Sequence, residues 1–325
     1  MSLIEPTNTF PVIGQDFTQG LPTDLADIVG LLENTPAVQA YLGNYLAQNI
    51  ITYRLFTQRM FAPNGSFAYQ PTMPQAAVDL SANPTGVILP GAEFPLGQTG
   101  QSTPTVGQVS KVARKSYVTR EALTAYRRNA VDTALRQLTN WYSDDVDGLG
   151  VTVLNTAIPS TGGSARVVGG TITAWSAATT YDAISGPIEE AKTGILDTRL
   201  GFRGNALVTS NANVSALRQN GAIAQILAFS RQETALTGMT YNHFFDVDII
   251  GIPTQLCTGT PFQHGALVAD LDVLGGIAEQ EPLRINSIYN EANLVPSEAW
   301  VLSVAHNFAH VVLNPLAGVW INGIS

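Results

Sequence analysis

Three carboxylates crowd into Ser143-Asp144-Asp145-Val146-Asp147-Gly148, and two imidazoles stand four residues apart in His306-Asn307-Phe308-Ala309-His310. These are the stretches whose residue types could do chemistry. A calcium loop of the EF-hand kind needs oxygen ligands at alternate positions, a glycine at the sixth and a bidentate Glu at the twelfth. Here the acids begin on adjacent residues and the twelfth position from Asp144 is Asn155, so the match is poor. The imidazoles have the i, i+4 spacing of a zinc helix, but Asn307 stands where that motif requires a Glu base. Trp300-Val-Leu-Ser-Val-Ala before them and Val311-Val-Leu after them read as a strand, on which two such rings lie ~13 Å apart at ~3.3 Å per residue. They cannot share one ion. His243 and His264 have no ligand partners at a recognisable spacing.

The other candidates are weaker. Gly148-Leu-Gly150 begins a dinucleotide-binding pattern but lacks the third glycine and follows a helix instead of a strand. There is no phosphate-binding Walker loop and no Gly-x-Ser-x-Gly elbow, and Cys257, the single cysteine, has no local base to activate it. Glu189-Glu190 and the pair Asp246 with Asp248 read as solvated faces before they read as acid and base. No catalytic, cofactor-binding or metal-ligating residue is assigned.

The elements that would have to position such residues are unevenly distributed. Residues 1–35 read as an arm, interrupted by Pro6, Pro11, Gly14, Gly20 and Pro22. Thr35-Pro36 then starts a short helix on which Val38, Tyr41, Leu42, Tyr45 and Leu46 recur at helical spacing. Ile50 to Phe61 is β-branched and aromatic, hence a strand. Residues 62–110 carry seven prolines and no Lys or Arg, and read as a long two-stranded excursion with strand pieces at Gly86–Leu89 and Val106–Val118. From Thr119 onward, apolar residues fall at Leu123, Tyr126, Ala130, Val131, Ala134, Leu135, Leu138, Trp141, Tyr142, Val146 and Leu149. That spacing predicts a helix of ~30 residues, ~45 Å long. It runs unbroken through Asp144 and Asp145, so the acidic stretch is helix and not loop. Residues 155–175 are rich in Gly, Ser and Thr and mark a boundary. Beyond it come a helix over Ile184–Leu196, a strand over Asn205–Thr209 capped by Ser210-Asn211, a helix over Val214–Gln219, and a strand over Asp248–Thr254. The end is β-rich, at Gly265–Asp270, Gly276–Gln280, Ala299–Leu313 and Val319–Ile324.

Composition bounds the function. Of 325 residues only 13% are charged, the net charge is −9, and 29 glycines and 18 prolines demand much turn and extended chain. One cysteine excludes an intrachain disulfide framework. The N-terminus has neither the basic nor the apolar region of a secretory signal, and no uncharged apolar run reaches ~18 residues. Residues 111–140 hold seven Lys or Arg against two acids, whereas residues 1–110 hold two against seven and residues 141–325 seven against sixteen. This basic island predicts either a contact with phosphate or an acidic neighbouring subunit, or a solvated helix face.

Several stretches, in their order, resemble a known family. Pro104-Thr-Val-Gly-Gln-Val-Ser-Lys-Val-Ala-Arg-Lys-Ser-Tyr-Val-Thr-Arg120 is similar to a strand that returns from an extended loop into a spine helix. Asn205-Ala-Leu-Val-Thr-Ser-Asn-Ala-Asn-Val-Ser-Ala-Leu217, Ile250-Gly-Ile-Pro-Thr254, Gly265-Ala-Leu-Val-Ala-Asp270, Glu298 to Leu313, and Asn314-Pro315 with Val319-Trp-Ile-Asn-Gly323 follow in the family's order. From about residue 30 onward the chain resembles the major capsid protein of tailed double-stranded DNA bacteriophages, whose fold is shared with encapsulin shells. The resemblance implies an α+β fold: an N-terminal arm (1–35), a short helix (36–50), an extended β-loop (51–118), a peripheral domain with the spine helix (119–170), an axial domain (171–262) and peripheral C-terminal strands (263–325).

It also implies a non-enzymatic coat protein that assembles with itself around five-fold and six-fold vertices into an icosahedral head, without cofactor or membrane. The implied partners are a scaffolding protein, a portal, decoration proteins, and packaged double-stranded DNA touched only non-specifically; the implied location is the virion, assembled in the bacterial host cytoplasm. Some members weld the shell through a loop Lys and a C-terminal Asn, promoted by a buried Glu. Here Glu298 and Ala305 stand at the Asn and Glu positions and residues 60–110 contain no Lys, so no cross-link is expected. The chain starts at the arm without a helical scaffolding segment, which predicts a separate scaffolding protein or prior cleavage. The polarity of the spine helix, basic early and acidic at Asp144, Asp145 and Asp147, predicts cation–carboxylate contacts between subunits. An encapsulin-like compartment and, from a different class, a soluble α/β enzyme or binding protein are the competing readings. Closed shells seen by electron microscopy would exclude the last.

Overall fold

The computed structural model describes residues 32, 38–39, 42–43, 46, 49–70, 104–126, 128–158, 160, 167–168, 172–223, 243–244, 246–290 and 299–325. Apart from Leu32, the predicted arm lies outside these, as does the strand expected at Gly86–Leu89. Within the predicted short helix, Val38, Leu42 and Leu46 are helical and buried, one turn apart on one face. Gln39 on the same helix donates its amide to the Ile285 carbonyl at 2.7 Å.

Ile50 to Phe61 is not one strand. Thr52–Leu55 forms a single helical turn (α1), and only Gln58–Phe61 (β1) is extended. Burial decides this: Thr52, Leu55 and Phe56 all sink into the core, a grouping that a turn can reach and an alternating strand cannot. Ser66–Tyr69 (β2) pairs antiparallel with Thr105–Gln108 (β3), so the excursion leaves and returns as a two-stranded ribbon, as its ends predict. Ser110–Thr119 (β4) carries the chain back into the helical region.

The predicted long helix is two helical segments, Arg120–Tyr126 (α2) and the 30-residue Arg128–Ala157 (α3). The second ends eight residues later than the periodicity places it. Val151, Leu154 and Ile158 continue the buried stripe, and Thr152 and Thr156 turn their hydroxyls onto the carbonyls of Gly148 and Thr152, at 2.8 and 2.9 Å. Packing overrides the low helix propensity of this β-branched text.

Asp182–Leu196 (α4), Ala206–Ser210 (β5), Asn211–Gln219 (α5), His243–Phe244 (β6), Val247–Ile252 (β7), Gly265–Ala269 (β8), Gly275–Asn290 (β9), Ala299–Val312 (β10) and Gly318–Asn322 (β11) follow. Ser210 caps α5 as its sequence predicts, its hydroxyl accepting from the Asn213 N–H at 3.3 Å.

Two larger sheets result. One has the order β1-β9-β10-β4, with β1 parallel to β9 and the other pairs antiparallel. The other has the order β11-β8-β5-β7-β6, with β5 and β7 parallel across the α5 crossover. The C-terminal residues 263–325 therefore divide: β8 and β11 join β5 and β7, while β9 and β10 join the strands at the root of the excursion. One hydrophobic core runs beneath both sheets and includes Leu42, Phe56, Leu138, Tyr142, Trp175 and Trp320. Trp320 meets Phe262 edge-on at 4.6 Å and gives its indole N–H to the Ile158 carbonyl at 2.7 Å, which ties the end of α3 to the second sheet.

Gly150 marks the closest approach of α3 to α1. A Cβ there would lie 2.2 Å from Thr52 Cγ2 and 3.3 Å from Phe56 Cε2. Thr52 cannot rotate away without breaking its hydroxyl's hydrogen bond to Asp147. Gly150→Ala should therefore lower the unfolding midpoint: overpacking costs ~1–3 kcal/mol, more than the ~1 kcal/mol that leaving glycine gains in a helix. Gly194→Ala in α4, whose Cβ would make an ordinary 3.6 Å contact with Val319, should raise the midpoint in the same denaturation experiment.

Candidate functional site

The three acids of the opening stretch point three ways. Asp147 is buried and accepts from the Thr52 N–H and the Thr52 hydroxyl, both at 2.9 Å, and from the Ile51 N–H at 3.3 Å. It satisfies backbone donors at the start of α1 that have no partner within the helix, which is the work of an N-cap done from a distant part of the chain. Burial pushes its carboxyl above the usual carboxylate range, against the downward pull of those hydrogen bonds. Asp145 receives Arg114 of β4 as a bidentate fork, through Nε and, at 2.7 Å, Nη2. Asp144 accepts from Gln255 Nε2 at 3.4 Å.

Asp145 and Asp147 thus find their partners within the chain, and the expected cation–carboxylate contacts between subunits are corrected for these two. The macrodipole argument behind that expectation also falls. The acids lie about ten residues from the true end of α3, and the dipole acts within the last turn. Of the basic island, Arg114 is engaged by Asp145, and Arg136 pairs with Asp132 one turn away at 2.9 Å. Lys111 and Lys115 are exposed along the free edge of β4. Charges on an edge strand discourage the addition of further strands.

His306 and His310 lie on β10, as the strand reading requires, and both are buried. Phe308 stands between them, 4.6 Å from one ring and 5.1 Å from the other. The structure separates the imidazoles with an aromatic ring. Burial, and secondarily the charge of Arg59, lowers His306 to about 4 and His310 to about 3, so both are neutral at pH 7. Cys257 is buried and its thiol is pushed up to about 11, so it stays protonated. Among the described residues no group of His, Cys, Asp and Glu could hold a metal ion.

Two features escaped the sequence reading. Arg59 of β1 pairs with Glu279 of β9, and its guanidinium also lies 4.6 Å over the Tyr53 ring. Nothing in a single sequence sets residues 59 and 279 opposite one another. The other feature is the apolar surface. Phe61 is 75% exposed and Val106 70%, near the foot of the excursion; Tyr126 at 69%, with Tyr117, Trp141 and Leu149, decorates the outside of β4, α2 and α3. Tyr117, Tyr126, Ala130 and Ala134 line part of an open groove of about 320 Å³ between β4 and the helices. Such surface suits burial against another molecule better than it suits solvent.

The model of a family of phage capsid proteins matches residues 102–321 of the 325. The chain belongs to this phage capsid protein family. The match runs from the returning arm of the excursion through the second sheet and all of the first except β1. No curated protein sequence matches it. In fold, this capsid protein is similar to a phage-related protein of Bordetella bronchiseptica RB50, at a TM-score of 0.53 and 14% identity, covering 89% of this chain and 96% of that one. It is also similar to the virus-like particle of Pyrococcus furiosus, at 0.56 and 9% identity, covering 89% and 100%. The capsid of Cyanophage P-SCSP1u gives 0.56 and 12% identity, covering 82% and 86%. Identities this low speak for the fold alone, which is the α+β capsid fold anticipated from the order of elements.

Asp147 and Asp145 should respond differently to mutation. Asp147→Ala leaves two backbone N–H groups and a hydroxyl at a buried helix start without an acceptor, and should cost about 2–4 kcal/mol. Asp145→Asn, at an exposed pair, should cost clearly less. Chemical denaturation of the two variants beside the parent measures the difference.

Proposed function

We propose that this chain is the major capsid protein of a tailed bacteriophage, and that it self-assembles into the closed icosahedral head that encloses double-stranded DNA. The observation that carries the reading is the family match over residues 102–321, on a fold that extends over most of the chain. The placement of polar chemistry supports it. The imidazoles of His306 and His310 and the thiol are buried, and the carboxylates of α3 serve internal contacts, whereas bulky apolar side chains stand outside. That division suits a subunit that works by its interfaces and not by catalysis. The extended loop, the spine helix α3 and the axial sheet act as separate contact surfaces, divided near residues 119 and 171, with β8 and β11 returning to the axial sheet.

Assembly is non-covalent. Residues 60–110 contain no Lys, and position 305 is an alanine. Scaffolding and portal proteins are partners during assembly in the host cytoplasm, and decoration proteins add to the finished head. A net charge of −9 leaves DNA contacts weak, non-specific and sensitive to salt. An encapsulin-like shell is the second reading, favoured by the similarity to the virus-like particle of Pyrococcus furiosus over that whole chain.

Negative-stain microscopy of the purified protein should show closed shells or rings of capsomers, and native particles should contain DNA. Small discrete particles would overturn the shell, and protein cargo without DNA would select the second reading. Particles boiled in SDS should run as monomers. Phe61→Asp with Val106→Asp should cut particle yield several-fold while leaving the subunit's thermal unfolding midpoint within a few degrees, because both side chains are already in water in the lone subunit.

A further inference from the structure

The sheet beneath the root of the excursion contains polar groups that the shell reading leaves without a task. Arg59 of β1, Ile277 of β9 and His310 of β10 stand in one row across three strands. Phe61, Glu279, Phe308 and Ser110 form a second row beside it. His306 follows two residues before Phe308, opposite Val112 of β4. On its other side the register with β9 slips around Asn307, opposite the stretch containing Pro282, which has no N–H to give to the ladder. None of the four ring nitrogens of His306 and His310 meets a hydrogen-bond partner among the described residues. The carboxylate oxygen Glu279 Oε1 lies 3.8 Å from His306 Nε2 and is already held by Arg59. His310 is flanked by the rings of Phe56, at 4.8 Å, and Phe308.

The other charged or titratable groups of this region are few. Tyr53 on α1 is pushed up to about 12, mainly by burial. Tyr142 on α3 is likewise raised by burial. Arg114 on β4 is engaged by Asp145. On β9, Glu281 accepts from Asn307 at 3.3 Å and pairs with Arg284 at 3.1 Å, and Lys111 of β4 stands opposite Asn307. No hydrogen bond joins the Tyr53 or Tyr142 hydroxyl to either imidazole.

We propose that His306 and His310 form an acid-sensitive latch, in which protonation of the two rings undocks β1 from β9 and frees the outgoing root of the excursion. A charged His306 competes with Arg59 for the Glu279 carboxylate. A charged His310 shares its row with the Arg59 cation and lies between Ile277 and the rings of Phe56 and Phe308, none of which can accept its protons. β1 yields first, because it is a four-residue edge strand held by a single parallel ladder.

The direction with pH follows from the imidazoles' lowered affinity for protons in the folded chain. Unfolded histidine titrates near ~6.5, whereas these two titrate at about 4 and about 3 when folded. The stabilisation is whole above pH ~6.5 and is lost as the pH falls toward 4, where the opened state binds more protons.

Hydrogen exchange on the full-length chain, in whatever oligomer it forms at pH 7, tests the latch independently of the shell reading. Between pH 7 and pH 4, after correction for intrinsic rates, protection of peptides covering residues 58–62 should fall at least ~100-fold, the contribution of one ring alone. The Ala62 amide, which donates to the Glu279 carbonyl at 2.9 Å, is the sharpest reporter. Peptides of β5 and β8 should hold. The double variant His306→Gln, His310→Phe should lose this pH dependence. Arg59→Gln should move the transition to higher pH, by removing a charge that opposes protonation. Parallel loss of protection in β1 and β8, an unchanged profile in the double variant, or an unmoved midpoint in Arg59→Gln would each overturn the proposal.

Discussion

Everything in the first sheet depends on β10. Among the described residues, its fourteen form the only strand that pairs with both β9 and β4, and α3 packs across it. The excursion leaves along β1 at one edge of this sheet and returns along β4 at the other, and the two strands between them come from residues 275–312. The root of the loop is therefore closed by distant sequence. Neither β1 nor β4 can find its place until β9 and β10 have formed, which makes the pairing non-local and the entropy of closure substantial. In return, the two feet of the loop are held on one sheet, whatever happens between residues 71 and 103.

The helix is then registered on that sheet by polar contacts at three depths. Asp147 reaches inward to the start of α1, Asp145 sideways to the edge strand β4, and Trp320 secures the far end through Ile158. Hydrophobic burial supplies most of the adhesion but is indifferent to small slides and rotations; hydrogen bonds to a buried carboxylate are not. A long helix with internal registration behaves as a rigid bar. Rigidity of this kind matters where many copies must meet one another at repeated angles, because errors in a single subunit accumulate around a closed surface. It also explains why the acids face inward or along the chain's own surface while aromatic groups such as Tyr126 and Trp141 face out.

Much of this was legible in the sequence where it depended on local period. The buried face of α2 and α3 follows Leu123, then Leu135, Leu138, Tyr142 and Val146 as spaced, and the alternation around His306 and His310 correctly placed them on a strand and parted them. What failed was whatever long-range packing decides. Thr52–Leu55 looked extended from its β-branched and aromatic composition, but Asp147 and the core fold it into a turn. Gly150 looked like half a cofactor motif and is instead the clearance that lets α3 approach α1. The acids looked like an unbalanced helix end because the β-branched run from Val151 to Val153 hides the last two turns. Arg114 and Asp145, thirty-one residues apart, form a pair that no spacing rule joins. The family likeness rested on the order of elements, a coarser property than any one contact, and it held where single-residue readings did not.

A subunit of this design must satisfy two opposed requirements. Its main body has to be stiff, and Asp147 and Gly150 act there. Where the loop meets neighbouring subunits, as proposed above, its root must be able to yield. The polar groups beneath β1 lie at that boundary. Arg59 and Glu279 join the edge strand to the sheet with an ion pair partly open to solvent, which is weaker than the apolar packing a few residues away. The neutral imidazoles beside it leave hydrogen-bonding capacity unused in a place where an all-apolar row would pack at least as well. Unused capacity of this kind lowers the cost of rearrangement, because the groups lose little when the strand moves. The sheet is thus least tightly held at the edge from which the loop departs and most tightly held under the helix, which is the gradient of stiffness that such an assembly demands.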